Sequence, residues 1–429
     1  MSTPQFIGTD GKLDATQVAD FIAPGLGRGP DGTYYDYRDG IYERDAEVVT
    51  KRVAAALGAR YSVSVQKQVE AHLLNITIPA VGIQKVTSCL DYIVLRNGVY
   101  WWRDGDLSSH DPTLGAITRL PVTFDHAATA PRFQHWLTQV LGDDPELQRH
   151  MWEIIGYLLM TGNPFQRMFL FHGEGGNGKG TLMRVLEHML GEENISSLSL
   201  HQMAEDKFAV AALHGKIANF SGDISSRYVS DPEVVKQLTG GDLITAQHKY
   251  SSVFQFRSYA VPVFSANSYF RTSDASYGWR RRWLAIDFNT NVLDLADPLN
   301  EQDLFDEAPG IFNTAMEALR RLMARGNFAE PATAQEATRK MHEAADPFML
   351  WLEEDENVYR DDPDLRTPRS DVYARYKGWS RTNGYQPLAS GPFGLRLKTV
   401  GIGTVKSRDT RGKDTRYYVG IGVTLSVTD

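Results

Sequence analysis

A glycine-rich stretch between an apolar run and a helical pattern is the feature that most limits what this chain can fold into. Residues 169–185 read FLFHGEGGNGKGTLMRV. Residues 167–171 have the composition of a buried strand, and apolar residues then recur on one helix face, at Leu182, Val185, Leu186, Met189 and Leu190. Glycines let backbone N–H groups turn toward phosphate oxygens, and the helix N-terminus adds partial positive charge. The stretch therefore predicts a phosphate-binding loop in an α/β domain, with a ligand-free glycine turn as the alternative.

The loop supplies eight candidate nucleotide-binding residues, which are Gly173, Gly175, Gly176, Asn177, Gly178, Lys179, Gly180 and Thr181. Lys179 stands where the ammonium group of such loops meets the β- and γ-phosphates. The usual pattern places Ser or Thr directly after the lysine as a magnesium ligand, whereas Gly180 stands there in this chain. Thr181 is thus the candidate ligand, either directly or through water. Nucleotide kinases resembling adenylate kinase share this GKGT order.

Length and composition indicate a folded protein of several domains. A chain of 429 residues predicts about two to four domains, and 42% hydrophobic with 23% charged residues is typical of soluble folded protein. No apolar run is long enough to span a membrane, and the first residues lack the pattern of a secretory signal. The single cysteine, Cys89, excludes an internal disulfide and a cysteine-based zinc site. We expect a cytoplasmic protein with no membrane partner.

Charge is distributed unevenly along the chain. The net charge is −8, but residues 396–416 hold seven Lys and Arg against two Asp, a balance of +5 that leaves −13 for the remainder. Residues 353–365, EEDENVYRDDPDL, are strongly acidic. The basic segment predicts a small phosphate-binding module, in which Lys406, Arg408, Arg411 and Lys413 would contact nucleic acid. A solvated charged surface is the alternative.

Two polar residues follow apolar runs downstream of the loop. In KIANFSGD a strand-like segment leads to Asp223, and in YAVPVFSAN another leads to Asn267. An acid beside the phosphate loop can hold magnesium and polarise the attacking water, and an amide can position that water near the γ-phosphate. Lys179, Asp223 and Asn267 are spaced 44 residues apart in each interval. A surface-turn aspartate and an ordinary strand-ending asparagine are the alternatives.

Two basic segments complete the series. Residues 278–288, GWRRRWLAIDF, place three arginines before a strand-like run, and a guanidinium can neutralise charge on the γ-phosphate during transfer. Between Asp223 and Asn267, the turn Gly240-Gly241-Asp242 leads to His248, Lys249 and Tyr250 before a second strand. A cation beside an aromatic ring suits single-stranded DNA, which offers phosphates and stacking faces. A basic surface turn and a core tyrosine beside a solvated lysine are the respective alternatives.

The rest of the chain reads as helices and short strands around this α/β segment. DAEVVTKRVAAALG predicts a helix, and Asn97-Gly98 between apolar runs predicts a hairpin. Residues 131–162 predict two helices broken at residues 142–145, and residues 165–290 alternate strand and helix patterns as three-layer α/β domains do. Residues 299–352 read as helical. DVYARYKGWSRTNG predicts a helix ending at Asn383-Gly384, followed by strands around residues 409–414.

The motif series GEGGNGKGT, KIANFSGD, KQLTGGDLITAQHKY, SAN and WRRRWLAIDF resembles the superfamily 3 helicases, a branch of the AAA+ ATPases. The likeness is greatest to the helicase half of phage, plasmid and poxvirus primase-helicases. It implies an AAA+ type P-loop ATPase core with three αβα layers, an α-helical collar, a mixed α+β N-terminal region and a C-terminal winged-helix domain. The implied division is 1–128 N-terminal, 129–164 collar, 165–298 core, 299–364 helical segment with acidic linker, and 365–429 winged helix.

The resemblance also implies roles for single residues. Lys179 and Thr181 would bind ATP, Asp223 and Thr181 would serve Mg²⁺, and Asn267 would sense the γ-phosphate. Arg281 and Arg282 best fit an arginine finger acting on the neighbouring subunit, with Arg280 as a further candidate. Lys249 with His248 or Tyr250 would fit a DNA-contacting pore hairpin.

The function implied is an ATP-dependent replicative DNA helicase of a phage, plasmid or mobile element, acting as a hexameric ring on single-stranded and forked DNA. Residues 1–125 show neither a convincing carboxylate cluster nor a zinc-ligand set for primer synthesis, so we expect a helicase without priming activity, or one whose primase or polymerase is a separate chain. Two alternatives stay open. One is an ATP-switched DNA-binding initiator or loader, and the other is a GKGT-type nucleotide kinase.

Overall fold

The structure is a computed structural model of the chain. It describes residues 6–9, 11–82, 91–206, 208–222, 224, 228–229, 232–247, 253–272, 274, 276–291, 300–360, 362–408 and 414–424. Among these residues, no helix combines the length and apolar character needed to cross a bilayer.

The first part of the chain forms three helices and a three-stranded antiparallel sheet around a small core of its own. Its elements are α1 (Ala15–Ile22), β1 (Leu26–Arg28), β2 (Tyr34–Arg38), β3 (Ile41–Arg44), α2 (Val48–Leu57) and α3 (Val63–Leu73). The Asp14 side chain accepts from the Thr16 and Gln17 backbone N–H groups at the start of α1, as an N-cap residue does. α2 confirms the helix predicted from DAEVVTKRVAAALG.

A second antiparallel unit follows, and it confirms the predicted hairpin. Its strands are β4 (Tyr92–Leu95), β5 (Gly98–Trp101) and β6 (Asp106–Ser108). Leu95 pairs with Gly98, so Arg96 and Asn97 form the two-residue loop. The Asn97 side chain donates to the carbonyl of Phe124 and accepts from its N–H, both at 3.0 Å, which fixes the loop against the chain entering the next helix.

The two helices predicted in 131–162 are present and break where expected. They are α4 (Pro131–Leu141) and α5 (Pro145–Leu159). Gly142 has φ +75°, a left-handed value that favours glycine. Asp144 then caps α5 by accepting from the N–H groups of Glu146 and Leu147 at 3.1 and 3.0 Å.

A five-stranded parallel sheet forms the centre of the molecule. Its strands are β7 (Met168–His172), β8 (Ile195–Ser196), β9 (Ala218–Ser221), β13 (Val261–Ala266) and β15 (Trp283–Asp287), in the spatial order β15-β7-β13-β9-β8. Side chains of β7 alternate between two hydrophobic clusters, with Phe169 and Phe171 in one and Met168 and Leu170 in the other. The sheet is therefore buried on both faces, which confirms the predicted mixed α/β architecture.

Shorter elements connect the strands of this sheet. They are α6 (Lys179–Leu190), α7 (Leu200–Glu205), β10 (Tyr228–Val229), α8 (Glu233–Gly240), β11 (Leu243–Gln247), β12 (Val253–Arg257), β14 (Arg271–Thr272) and α9 (Tyr277–Arg280). β11 and β12 form an antiparallel hairpin, and β10 pairs with β14 in parallel. The α6 helix begins at Lys179, directly after the glycine loop.

The helical segment predicted in 299–352 is confirmed as α10 (Glu301–Phe305), α11 (Ala308–Arg325), α12 (Ala332–Ala344) and α13 (Pro347–Glu354). α11 packs along α5, and buried residues of both helices lie in one cluster with the central sheet. Arg325 at the end of α11 pairs with Glu153 on α5 at 2.6 Å. The segments before and after the sheet thus share one core.

The C-terminal part is a small α+β unit with its own core. It comprises β16 (Val358–Tyr359), β17 (Arg366–Pro368), α14 (Arg369–Thr382), α15 (Ser390–Thr399), β18 (Gly403–Arg408), β19 (Asp414–Val419) and β20 (Gly422–Val423). α14 ends at Asn383 and Gly384 as predicted, with Gly384 at φ +76°. β18 and β19 form the predicted hairpin, and residues 409–413 of its turn lie outside the described residues.

The packing of α5 on α11 requires a glycine, and this gives a first prediction. A Cβ added at Gly156 would lie 2.3 Å from the Ala315 carbonyl oxygen and 3.0 Å from the Leu319 Cβ. Because the helices would have to separate, we expect Gly156→Ala to destabilise the protein by about 1–3 kcal/mol, seen as a lower melting temperature by calorimetry.

Gly378 in the middle of α14 is the matched control, since a Cβ there meets no atom within 4 Å. Gly378→Ala should leave the melting temperature unchanged or raise it, because alanine favours the helix by about 0.5–1 kcal/mol. An equal loss of stability in both variants would contradict the proposed role of Gly156 in the helix packing.

Candidate functional site: the carboxyl edge of the central sheet

The glycine loop and Asn267 follow two adjacent parallel strands at one edge of the sheet. The glycine loop follows β7, Asn267 follows β13, and Asp223 lies two residues beyond β9. β13 pairs with β7 on one side and β9 on the other, and Gly173 N–H donates to the Ala266 carbonyl at 3.2 Å. The structure thus places exposed Asn267 beside the loop. Asp223 itself lies outside the described residues.

The glycine loop contains backbone conformations that favour glycine, and one side of the loop lies close to a helix. Gly176 and Gly178 have φ values of +75° and +89°. A Cβ at Gly178 would lie 2.6 Å from Cγ1 of Val140 on α4. The loop therefore rests directly against the helix that precedes the sheet.

The Lys179 ammonium group points back into the loop. Its Nζ donates to the carbonyl oxygens of Gly173 at 2.6 Å and Glu174 at 3.0 Å, and to Asn177 Oδ1 at 2.9 Å. The Asn177 amide in turn donates to the Phe288 carbonyl at 2.7 Å. Lys179 is only 5% exposed. Because little water screens its ammonium charge, that charge acts more strongly on groups inside the loop than it would in solvent.

Thr181 contacts a carboxylate that sequence analysis missed. Its hydroxyl donates to Glu301 Oε1 at 3.1 Å, and Arg184 Nε donates to Glu301 Oε2 at 2.8 Å. The hydrogen bond from Arg184 lowers the pKa of the Glu301 carboxyl, which keeps it charged at neutral pH. Glu301 lies on α10, 120 residues away, and no local pattern in the sequence signals this contact.

The three consecutive arginines differ in their surroundings. Arg280 is exposed. Arg281 is half-buried, and its guanidinium contacts the Gln166 side chain oxygen. Arg282 is 8% exposed, and its three nitrogens donate to the Thr239 hydroxyl at 2.9 Å, the Lys236 carbonyl at 3.2 Å and the Gly278 carbonyl. The geometry thus gives Arg282 a role within its own chain and leaves Arg280 best placed to reach another molecule.

The predicted DNA-contacting residues are only partly described. His248, Lys249 and Tyr250 fall between β11 and β12, outside the described residues, as do Arg411 and Lys413 between β18 and β19. Lys406 and Arg408 lie on β18, and both approach Asp414, with nitrogen–oxygen distances of 2.7 and 3.7 Å. The positive charge of this hairpin is therefore partly compensated by its own aspartate.

Three further side chains meet where β7, β13 and β15 end. His172 Nδ1 lies 3.0 Å from Asp287 Oδ1, and the ring of Tyr269 stacks on the imidazole at 4.0 Å between centroids and 17° between planes. The Tyr269 hydroxyl lies 3.4 Å from the same carboxylate oxygen. Asp287 ends an apolar strand just as Asn267 does, so the signal that found Asn267 would also have found Asp287.

Comparison with protein families gives two partial matches. Residues 171–282 match a family of unknown function (DUF5906), and residues 40–142 match the family described as D5 N terminal like. The first match lies within the α/β segment that carries the glycine loop, Asn267 and the arginines. The second covers β3 to α4, and α4 contains Val140, which lies against the loop.

The overall fold is similar to that of the NrS-1 C terminal region. Its A form apo structure aligns with a TM-score of 0.54 and 12% identity over 95% of this chain and 100% of that one. A second A form apo structure, of residues 305–718, gives 0.52 and 11% over 95% and 100%. A further apo structure of 305–718 gives 0.50 and 13% over 96% and 100%. The similarity thus extends over nearly the whole chain.

The different environments of the arginines predict different effects on stability. Arg282→Ala removes three hydrogen bonds at a buried position, so we expect a loss of about 2–3 kcal/mol and a lower melting temperature. Arg280→Ala is the matched control and should change stability by less than about 0.5 kcal/mol. Equal melting temperatures for the two variants would contradict the structural role of Arg282.

Proposed function

We propose that this protein is an ATP-dependent DNA helicase that acts in the replication of a phage, plasmid or mobile element. The observation that carries the proposal is the position of β13. β13 lies between β7, which leads into the glycine loop, and β9, which ends two residues before Asp223 in the sequence, and Asn267 follows β13. A phosphate loop, an acid and a polar residue from adjacent strands are the groups that nucleotide hydrolysis needs.

ATP would bind at the glycine loop, with Lys179 as its main cation. The ammonium group already lies among three oxygen atoms at 2.6–3.0 Å, and phosphate oxygens could replace these as acceptors. The backbone N–H groups at the start of α6 add partial positive charge. The eight loop residues predicted from the sequence therefore remain the proposed nucleotide site.

Magnesium fits the donors near Thr181. The Thr181 hydroxyl and the Glu301 carboxylate are oxygen ligands of the kind that Mg²⁺ prefers, and they lie in contact. We assign Mg²⁺ to Thr181 together with Asp223, where it would neutralise phosphate charge. Asp223 would also polarise the attacking water, and Asn267 would hold that water in line with the γ-phosphate.

An arginine from a neighbouring subunit would complete the site. Arg280 is exposed and Arg281 lies beside it, whereas Arg282 is held within its own chain. We therefore assign the trans finger to Arg280 or Arg281 and propose a homo-oligomeric ring, a hexamer as in the superfamily 3 helicases.

DNA would contact the β11–β12 hairpin through His248, Lys249 and Tyr250, and the C-terminal unit through Lys406, Arg408, Arg411 and Lys413. The arrangement β17-α14-α15-β18-β19 supports a winged-helix interpretation of that unit, with the β18–β19 hairpin as its wing. Single-stranded and forked DNA are the proposed partners, with priming left to a separate chain. The D5 N terminal like region and the fold shared with the NrS-1 C terminal region support this assignment to phage replication.

The loop lysine provides the first test. Lys179→Ala should abolish ATP hydrolysis that single-stranded DNA stimulates, because the γ-phosphate would lose its main cation. Turnover is measured with and without single-stranded DNA for the wild type and the variant. Lys340→Ala on α12, an exposed lysine, should keep the wild-type rate and its stimulation.

Other outcomes would favour the alternatives. A slow rate that DNA does not change would favour an ATP-switched initiator or loader. Phosphoryl transfer to a nucleoside monophosphate would favour the nucleotide kinase.

The C-terminal hairpin predicts opposite effects on DNA binding for the removal of its cations and the removal of its aspartate. Replacing Lys406 and Arg408 by Ala should flatten the dependence of forked-DNA affinity on salt, by about 0.7–0.9 for each phosphate that the variant no longer neutralises. Asp414→Asn should instead tighten binding by about two- to fivefold at low salt, because both cations are freed from their internal partner. Affinity is measured by fluorescence anisotropy across salt concentrations.

Asp364→Asn is the control, since it removes one exposed negative charge elsewhere in the same unit. An unchanged salt slope in the double variant would show that the hairpin is only a charged surface. Equal gains in DNA affinity from Asp414→Asn and Asp364→Asn would show that the effect arises from net charge alone.

A further inference from the structure

The hydrogen-bond ladder of the central sheet ends just before the residues proposed to act on ATP. The last register pairs are His172 with Asp287 and His172 with Ala266. Gly173 and Asn267 come directly afterwards, and the last backbone bond between their strands runs from the Gly173 N–H to the Ala266 carbonyl at 3.2 Å. Beyond this bond, side-chain contacts can add to the forces that set the distance between the glycine loop and Asn267.

Side chains from all three strand ends meet at this point. The imidazole of His172 lies between Asp287, at 3.0 Å, and the ring of Tyr269, at 4.0 Å between centroids. A carboxylate only accepts hydrogen bonds, so His172 carries a proton on Nδ1. Burial, and then the Asp287 charge, raises the pKa of the Tyr269 hydroxyl, which keeps it a donor toward the carboxylate.

The backbone next to Asp287 also supports the loop. Phe288 N–H donates to the His172 carbonyl at 2.7 Å, and the Phe288 carbonyl accepts from the Asn177 amide at 2.7 Å. Asn177 contacts Lys179. A chain of contacts therefore runs from the carboxylate, through one backbone residue, to the proposed cation of the ATP site.

We propose that His172, Tyr269 and Asp287 form a positioning cluster that holds the glycine loop and Asn267 in register with β15. The inference rests on the proposed function, since it assigns these residues to the ATP site. β15 follows the arginine turn of residues 280–282, so the cluster also joins the ATP site of one subunit to the segment that this subunit offers to its neighbour. None of the three side chains needs to touch ATP for this role.

The first experiment observes the cluster directly in the wild-type chain. Histidine is labelled with ¹³C at Cε1, and the His172 resonance is assigned by its disappearance in His172→Asn. Addition of Mg²⁺ and the non-hydrolysable analogue AMP-PNP should shift this resonance in step with occupancy of the site. The resonance of His110, whose ring contacts the Leu95 carbonyl in the β4–β6 unit, should not move.

The second experiment separates positioning from binding. His172→Leu removes the N–H donor and should lower kcat of the DNA-stimulated reaction about tenfold, while KM and AMP-PNP affinity change less than about threefold. His172→Asn keeps a donor at the Nδ1 position and should recover kcat to within about threefold of wild type. His110→Asn is the matched control and should leave kcat unchanged.

The outcomes distinguish this inference from the proposed function. A His172 resonance that stays fixed at saturating AMP-PNP overturns the positioning role, as does a His172→Leu variant with wild-type kcat. His172→Asn as impaired as His172→Leu, at equal melting temperature, also overturns it. A wild type that binds AMP-PNP without hydrolysing ATP refutes the proposed function, and the resonance still decides the inference. Failure to bind AMP-PNP overturns both.

Discussion

The parallel pairing of β7 with a strand on each side is the constraint on which the site depends. The carboxyl ends of parallel strands lie at the same edge of a sheet. Residues that follow these strands are therefore brought to one edge even though they are far apart in the sequence. β15 and β13 place Asp287 and Asn267 on either side of the glycine loop. The loop then contributes its own cation, Lys179, which three oxygens hold at the same edge. A slip of one residue in one of these pairings would shift the polar end of that strand relative to the loop.

The flanking segments belong to the same physical unit as the sheet. α4 lies against Gly178 of the loop. α5 precedes the strands of the sheet in the sequence and α11 follows them, and the two helices pack on one another in one core. The resemblance implied a collar at 129–164 and a later helical segment with acidic linker at 299–364. Helices of both segments pack in one core, so a change in the loop has a short physical path to both helices.

The sequence predicted what local chemistry determines. The glycine loop, the break between α4 and α5, the hairpins at Asn97 and around residues 409–414, and the end of α14 all follow from turn residues and periodicity. Asn267 was also predicted, because a polar residue directly after an apolar strand is a usable signal, and it lies beside the loop. The order of the five strands was not predictable in this way, since it depends on pairings between distant segments.

Contacts between common polar residues that are far apart in the sequence could not be predicted either. Arg280, Arg281 and Arg282 are identical in chemistry, and only the fold shows that Arg282 is buried among acceptors from α8 and α9. Glu301 reaches Thr181 from another helix, and Asp414 compensates the cations that looked free along the chain. Asp223 and the residues at the tip of the β11–β12 hairpin lie outside the described residues, so their roles remain predictions.

The contact between α5 and α11 has a consequence for the order of synthesis. The two helices are separated by about 150 residues of chain, which a ribosome adds in on the order of ten seconds at about 5–20 residues per second. α5 is buried along nearly its whole length in the finished protein, but its partner does not yet exist when it leaves the ribosome. The nascent chain therefore carries an apolar helix face in water while the entire central sheet is being made, and that face can be covered only after the sheet is complete.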